Sequence, residues 1–321
     1  MIPAVRGMRV IVALAILVAV LVAGCSGPSK ASPRRARPKA GGAGAAASGG
    51  PPGARSAPAP TPSATPSAPT PSAPTPSAAA PSASTGTPGA STVGALPPVL
   101  QHGMRAGNKV ALTFDADMTD AMLATLSSGA AVSYANLAVI DQLERRGIPA
   151  TFFITGEWAE QYPDVVRRLA ANPRFELANH SYRHGAFTGN CYNLPRVPVN
   201  EMTADVARTF TVLEPFGGRQ TRYFRFPGLC HDPAALQALC GLGVTVVDGD
   251  VVSGDPFATA AGPIVHNVLS TVRPGSIVIM HVTEANAQFT DEALGPILDG
   301  LTAAGLRPVP LSDLDGAPAA R

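Results

Sequence analysis

The chain has 321 residues, of which 45% are hydrophobic, 5% aromatic and 14% charged, with a formal net charge of +2. The positive excess lies early: residues 1–100 carry eight Lys and Arg and no acid, which leaves 16 basic against 22 acidic residues in 101–321, a net of −6. An acidic folded portion without a basic aromatic stripe argues against a nucleic-acid partner, and the single Trp argues against an appended aromatic-rich carbohydrate module.

The chain opens with Arg6 and Arg9 ahead of an apolar run from Val10 to Val22. That run is shorter than the roughly 20 residues a spanning helix needs, and its flanks are those of an export signal. Leu21-Val22-Ala23-Gly24-Cys25 resembles a bacterial lipobox, in which Cys25 is lipidated and becomes the new N-terminus. An ordinary cleaved signal, or an uncleaved anchor with an incidental Cys, is the alternative. Residues 1–25 are therefore read as a lipoprotein signal and 26–98 as a tether. The tether is Ala, Pro, Ser, Thr and Gly, with Pro-Thr-Pro-Ser-Ala recurring between Pro60 and Ala78. Such a composition cannot bury enough apolar surface to offset its ordering entropy. Its prolines favour a semi-stiff, disordered spacer of roughly 3 Å per residue where extended.

From Val99 onward about 220 residues remain, enough for one α/β barrel domain, read as 99–321. The apolar run Val110–Phe114 ends in Asp115 and Asp117. Met118 to Ser133 holds a helical Met122-Leu123-Leu126 cluster, and a helix is expected over Tyr134–Arg146. A strand at Ala150–Ile154 precedes a helix at Glu157–Ala171. The strand Phe175–Ala178 leads into Asn179-His180-Ser181-Tyr182-Arg183-His184, and a helix follows at Glu201–Leu213. Tyr223–Phe226 carries Arg225 and runs into Pro227-Gly228. Asp232-Pro233 is an N-cap and first position for a helix at Ala234–Leu239. Val244–Val247 precedes Ser253-Gly254-Asp255, and a helix is expected over Ile264–Val272. Ile277–Met280 ends at His281, and a helix at Asp291–Ala304 and a strand at Leu306–Val309 close the domain. Near-continuous apolar strands alternating with helices imply a parallel sheet. In a barrel the C-terminal strand ends share one face, so these polar motifs would meet in space.

The order and spacing of the five motifs, Thr113-Phe114-Asp115-Ala116-Asp117, the His180–His184 stretch, Arg225-Phe226-Pro227-Gly228, Ser253-Gly254-Asp255 and the run ending at His281, resemble the polysaccharide deacetylases of carbohydrate esterase family four, the NodB homology domain. The resemblance covers roughly Lys109 to Leu311. It implies a distorted (β/α)7 barrel with parallel strands, a number of strands that periodicity alone does not give. Relative to short members of that family, Met118 to Ser133 reads as an insertion, either a substrate-selecting flap or a plain surface loop.

The resemblance also implies roles. Asp115 matches the catalytic base and Arg225 the arginine that orients it. His281 matches the general acid, with Asp255 as the carboxylate holding it and Asp250 as the alternative. Pro227 and Gly228 fit a substrate-binding pocket wall. His180 and His184 are the expected metal ligands, since four-residue spacing predicts both imidazoles on one side of a helical turn. The first motif departs from the family pattern. Ala116 stands where a second aspartate would bind metal, and Asp117 is expected to serve from one residue further on. The alternatives are histidines and water alone, or Asp115 as ligand. The implied cofactor is one divalent ion, zinc as first choice and cobalt or nickel as alternatives. With Cys25 lipidated, Cys191, Cys230 and Cys240 remain. Cys191 and Cys230 follow motifs on the catalytic face and are the expected disulfide, with Cys230–Cys240 as the alternative.

The expectation is therefore a monomeric, metal-dependent N-deacetylase, held to the bacterial membrane by its N-terminal lipid and reaching into the cell wall. Its expected partner is an N-acetylated polysaccharide: peptidoglycan, a chitin-like polymer or poly-N-acetylglucosamine. A catalytically inactive carbohydrate-binding lipoprotein, or a hydrolase of another non-peptide C–N bond, is the alternative.

Overall fold

Nine strands and eight α-helices follow one another in the computed structural model, which describes residues 95–314. The expected lipoprotein signal, its Cys25 and the expected tether up to residue 94 lie outside the described residues. In chain order the elements are β1 (Val99–Leu100), β2 (Lys109–Ala116), α1 (Asp120–Ser127), α2 (Leu137–Arg146), β3 (Ala150–Ile154), α3 (Gly156–Gln161), α4 (Pro163–Ala171), β4 (Phe175–Asn179), α5 (Val199–Leu213), β5 (Arg219–Phe224), α6 (Pro233–Ala238), β6 (Thr245–Val247), β7 (Val251–Val252), α7 (Ala261–Leu269), β8 (Ile277–His281), α8 (Thr290–Ala303) and β9 (Arg307–Val309). The strands form one sheet in the order β1-β6-β5-β4-β3-β2-β8-β7, with β9 also on β2. Every ladder is parallel. The sheet curls into a distorted (β/α)7 barrel, as the resemblance implied.

Strand β2 shows how the barrel aims its polar residues. Val110, Leu112, Phe114 and Ala116 belong to the large core between sheet and helices, with Trp158, Leu143 and Leu298. Ala111 belongs instead to the barrel's inner cluster, with Phe153, Tyr223, Val247 and Ile277. Side chains alternate faces along a strand, so Thr113 and Asp115 share the inner face with Ala111. Ala116 is thereby committed to the helix-facing core. The next inward position, beyond the end of the strand, is Asp117.

The helices start where the side chains can cap them. Thr119, Asn136 and Asp232 accept from Met122, Val139 and Ala235 backbone N–H groups at the starts of α1, α2 and α6. Helix α1 lies within the 118–133 segment and packs Met122, Leu123 and Leu126 on the main core. The helix expected over Glu157–Ala171 is instead two, because Tyr162 takes φ −123°, ψ 54° ahead of Pro163, which starts the second. Among the described residues no helix is long and apolar enough to cross a membrane.

Candidate active site

Five chain segments deliver their polar side chains to one end of the barrel. Asp115 comes from the end of β2, with Asp117 just beyond it. His180 and His184 follow β4, Arg225 follows β5, Asp255 follows β7, and His281 closes β8. The cavity there measures about 420 Å³ and is lined by Asp115, Asp117, His180, His184 and His281 among others.

The histidine segment is not the helical turn its spacing suggested. Ser181 and His184 adopt φ of 70° and 53°, so the chain turns through left-handed positions. Asn179 steadies the turn, its Oδ1 accepting from Ser181 N–H at 2.9 Å while its Nδ2 donates to the Val206 carbonyl at 2.9 Å. The Tyr182 ring packs directly on Gly156, where a Cβ would lie 2.2 Å from it. The two imidazoles still meet, with centroids 4.9 Å apart.

His180 Nδ1 lies 2.9 Å from the Arg225 carbonyl oxygen. A carbonyl only accepts, so Nδ1 carries the proton, and in the neutral ring Nε2 presents a lone pair. That Nε2 is 3.4 Å from Asp117 Oδ1, and His184 Nε2 is also 3.4 Å from it. Both His180 Nε2 and Asp117 Oδ1 are buried without a hydrogen-bond partner. Electron-rich atoms facing one another in a buried site repel unless a proton or cation lies between them. The three donor atoms lie within 4.8 Å of one another, a nitrogen and oxygen set that fits a divalent ion. Burial, reinforced by His180 and His281, pushes His184 down to about 4, which leaves it neutral and able to ligate. Burial tends to raise Asp117, but His184, His281 and His180 outweigh it and hold the carboxyl below the usual range. Asp117, not Ala116 or Asp115, is the carboxylate in this donor group.

Asp115 sits beside it. Its Oδ1 accepts from Arg225 Nη1 at 2.6 Å, and its Oδ2 is 3.7 Å from His180 Nε2. Arg225 is fully buried, its Nε donating to the Val247 carbonyl at 3.1 Å and its guanidinium lying 4.0 Å from the Phe153 ring centre. Across the cavity His281 is gripped twice by Asp255, through its backbone N–H at 2.7 Å and through Nδ1 at 2.8 Å. Its Nε2 is left 3.7 Å from Asp117 Oδ2. Burial disfavours the charged ring, but Asp255 and Asp117 outweigh it and push His281 up to about 10. Asp250, the alternative partner for His281, instead binds Arg105 at 2.7 Å.

Gly228 lines the cavity, whereas Pro227 is buried beside it and does not line it. Cys191 and Cys230 are joined, and Cys240 is outside the bridge. Three supporting hydroxyls escaped sequence reasoning. Ser253 and Thr290 each donate to Asp255 at 2.7 Å, and Thr283 accepts from the Asp117 N–H at 3.0 Å. Ser253 stood in a motif already noted, but nothing in the sequence signalled the other two.

Residues 102–247 match the family model for polysaccharide deacetylase. That stretch is a polysaccharide deacetylase domain. It is a divergent one, and it carries Thr-Phe-Asp-Ala-Asp at residues 113–117. The chain is 29% identical over 177 residues to a peptidoglycan-N-acetylglucosamine deacetylase of Bacillus cereus, a match covering 55% of this chain and 62% of the relative. The chain thus spans less than two thirds of that relative's length. A solved peptidoglycan N-acetylglucosamine deacetylase in complex with a naphthalenyl N-oxidanyl-benzamide superposes with a TM-score of 0.58 at 25% identity, covering 70% of this chain and 96% of that one. A pseudoenzyme of carbohydrate esterase family four from Bacillus anthracis superposes with a TM-score of 0.54 at 20% identity, covering 68% of this chain and 69% of that one. That last likeness speaks for the fold alone.

Proposed function

We propose that this chain removes N-acetyl groups from amino sugars of a cell-wall or surface polysaccharide, using one divalent ion held by Asp117, His180 and His184. The observation that carries the reading is the pairing, in one cavity, of an unsatisfied ligand group with an Arg-held carboxylate and an Asp-held imidazole. The relatives' N-acetylglucosamine substrates support the choice of sugar. Zinc suits the two-nitrogen, one-oxygen donor set. When bound, such an ion acts as a Lewis acid toward water and the acyl oxygen.

The chain's own residues handle the protons. Arg225 fixes one oxygen of Asp115 and leaves the other toward the cavity, where it accepts a proton from the attacking water. The bond that forms joins that water's oxygen to the acyl carbon, and the acyl carbon–nitrogen bond breaks. The departing nitrogen needs a proton, which His281 holds at Nε2. With the cation in place Asp117 is committed to it, and Asp255 remains to favour the protonated ring. Asp115 then holds a proton that His281 has lost, and exchange with solvent resets both.

The lipobox-like segment ending at Cys25 and the Pro-rich segment after it support placing this activity outside the cytoplasm on a lipid anchor. A monomer acting along a polymer needs no partner subunit. The test is acetate release from an N-acetylglucosamine oligomer, matched one for one by new primary amine. Binding of the oligomer and of zinc without acetate would instead mark an inactive carbohydrate-binding protein.

A further inference from the structure

Tyr192 and Phe257 are large aromatic residues on the surface, 64% and 74% exposed, yet both line the catalytic cavity. They lie 65 positions apart in sequence on different loops. Their rings nonetheless adjoin, centroids 5.8 Å apart and planes within 29°. Val252, 57% exposed, lines the same cavity. Aromatic carbon left in water forgoes the gain of burial, so a paired exposure at a cavity mouth calls for a ligand.

The local backbone is bent to hold Tyr192 there. Tyr192 and Asn193 take φ of 49° and 58°, and Leu229 opposite takes 60°, all uncommon for residues with side chains. Gly228, at φ 61°, has no Cβ; one would lie 2.7 Å from Cys191 Sγ and 2.8 Å from the Tyr192 ring. The ring therefore rests on Gly228, with the Cys191–Cys230 bridge at its root. A rigid aromatic surface loses little conformational entropy on binding.

We propose that Tyr192 and Phe257 form a stacking platform for a second pyranose ring of the glycan, next to the sugar that loses its acetyl group. Pyranose rings present faces of C–H groups, which pack against aromatic rings while their hydroxyls stay in water. The inference rests on the N-deacetylase reading and narrows its substrate to chains of at least two sugars. Tyr192 and Phe257 are thus positioning residues, and they touch no reacting atom.

The test uses the zinc-loaded protein and N-acetylglucosamine oligomers of one to five sugars. Wild type should prefer the oligomers over the monosaccharide in kcat/KM. Tyr192→Ala and Phe257→Ala should each cut that preference by about tenfold, chiefly through KM, while Tyr192→Phe keeps it. Titration calorimetry of the pentamer on Asp115→Asn protein should show the same tenfold weakening when Tyr192→Ala is added. If acetate is released but both alanine variants keep the wild-type preference, the platform is wrong and the deacetylase reading stands. If no acetate is released, yet pentamer affinity falls with Tyr192→Ala, the platform stands and the deacetylase reading fails.

Discussion

Replacing Arg225 by Met separates aiming from folding. The guanidinium is fully buried, 2.6 Å from Asp115 Oδ1 and 3.1 Å from the Val247 carbonyl. The contacts of its backbone, accepting from His180 Nδ1 and donating to the Asn179 carbonyl, survive any side-chain change. Met fills much of the volume against Phe153 but strands a buried carboxylate and a buried carbonyl. Breaking a buried pair by removing one partner costs about 3–5 kcal/mol. For a domain of this size each kcal/mol lowers Tm by about 2–4 °C, so a fall of about 6–20 °C is expected. Asp115, released on one side, is also misaimed, and a misplacement of about 1 Å costs on the order of 10²-fold in rate. Adding Asp115→Asn to Arg225→Met should recover part of the lost stability, since the group that lost its cation is then neutral. The assay is calorimetric unfolding beside kcat for acetate release, with zinc content measured on the same samples. Arg225→Met protein that unfolds early but keeps kcat within about threefold would show that Arg225 supports the fold and does not orient the base.

Two further outcomes follow from other parts of the chain. Glu157 is buried with an unpartnered Oε2, and burial, reinforced by Asp120, raises its pKa from 4.5 to about 7. The folded state therefore holds its proton more tightly than the unfolded chain, so its contribution to stability is present below pH 4.5 and is lost as pH rises to about 7. Glu157→Gln should flatten that decline in urea midpoints between pH 5 and 8, and parallel slopes in variant and wild type would refute the assignment. Cys25→Ser should remove the acyl mass and shift the protein out of the detergent phase, whereas a wild-type protein without acyl groups would refute the anchor.

Much of the barrel was legible because its strands are buried on both faces. Runs such as Val110–Phe114 and Ala150–Ile154 need no alternation to be recognised. Strands β1 and β7, two residues each, are too short to leave a pattern and exist only by pairing with β6 and β8. The spacing of His180 and His184 identified the pair but not its geometry, because Asn179 and Tyr182 override helical preference with tertiary contacts. The place of Ala116 follows from strand parity, once the register of β2 is known. No local signal could place Thr283 under Asp117, Thr290 under Asp255, or Tyr192 beside Phe257, since each pairing spans a large sequence separation and depends on barrel closure.

The proposed hydrolysis depends on an ion held by Asp117, His180 and His184 and on a base, Asp115, that the ion does not need. Titrating chelator-treated protein with zinc while following acetate release tests it most directly. Activity should return in proportion to bound zinc and saturate at one ion per chain. His180→Ala and Asp117→Ala should lose tight binding and activity together, whereas Asp115→Asn should bind zinc normally and release no acetate. Full acetate release by the chelated protein, or an Asp115→Asn protein that loses zinc while Asp117→Ala keeps it, would overturn this division of roles.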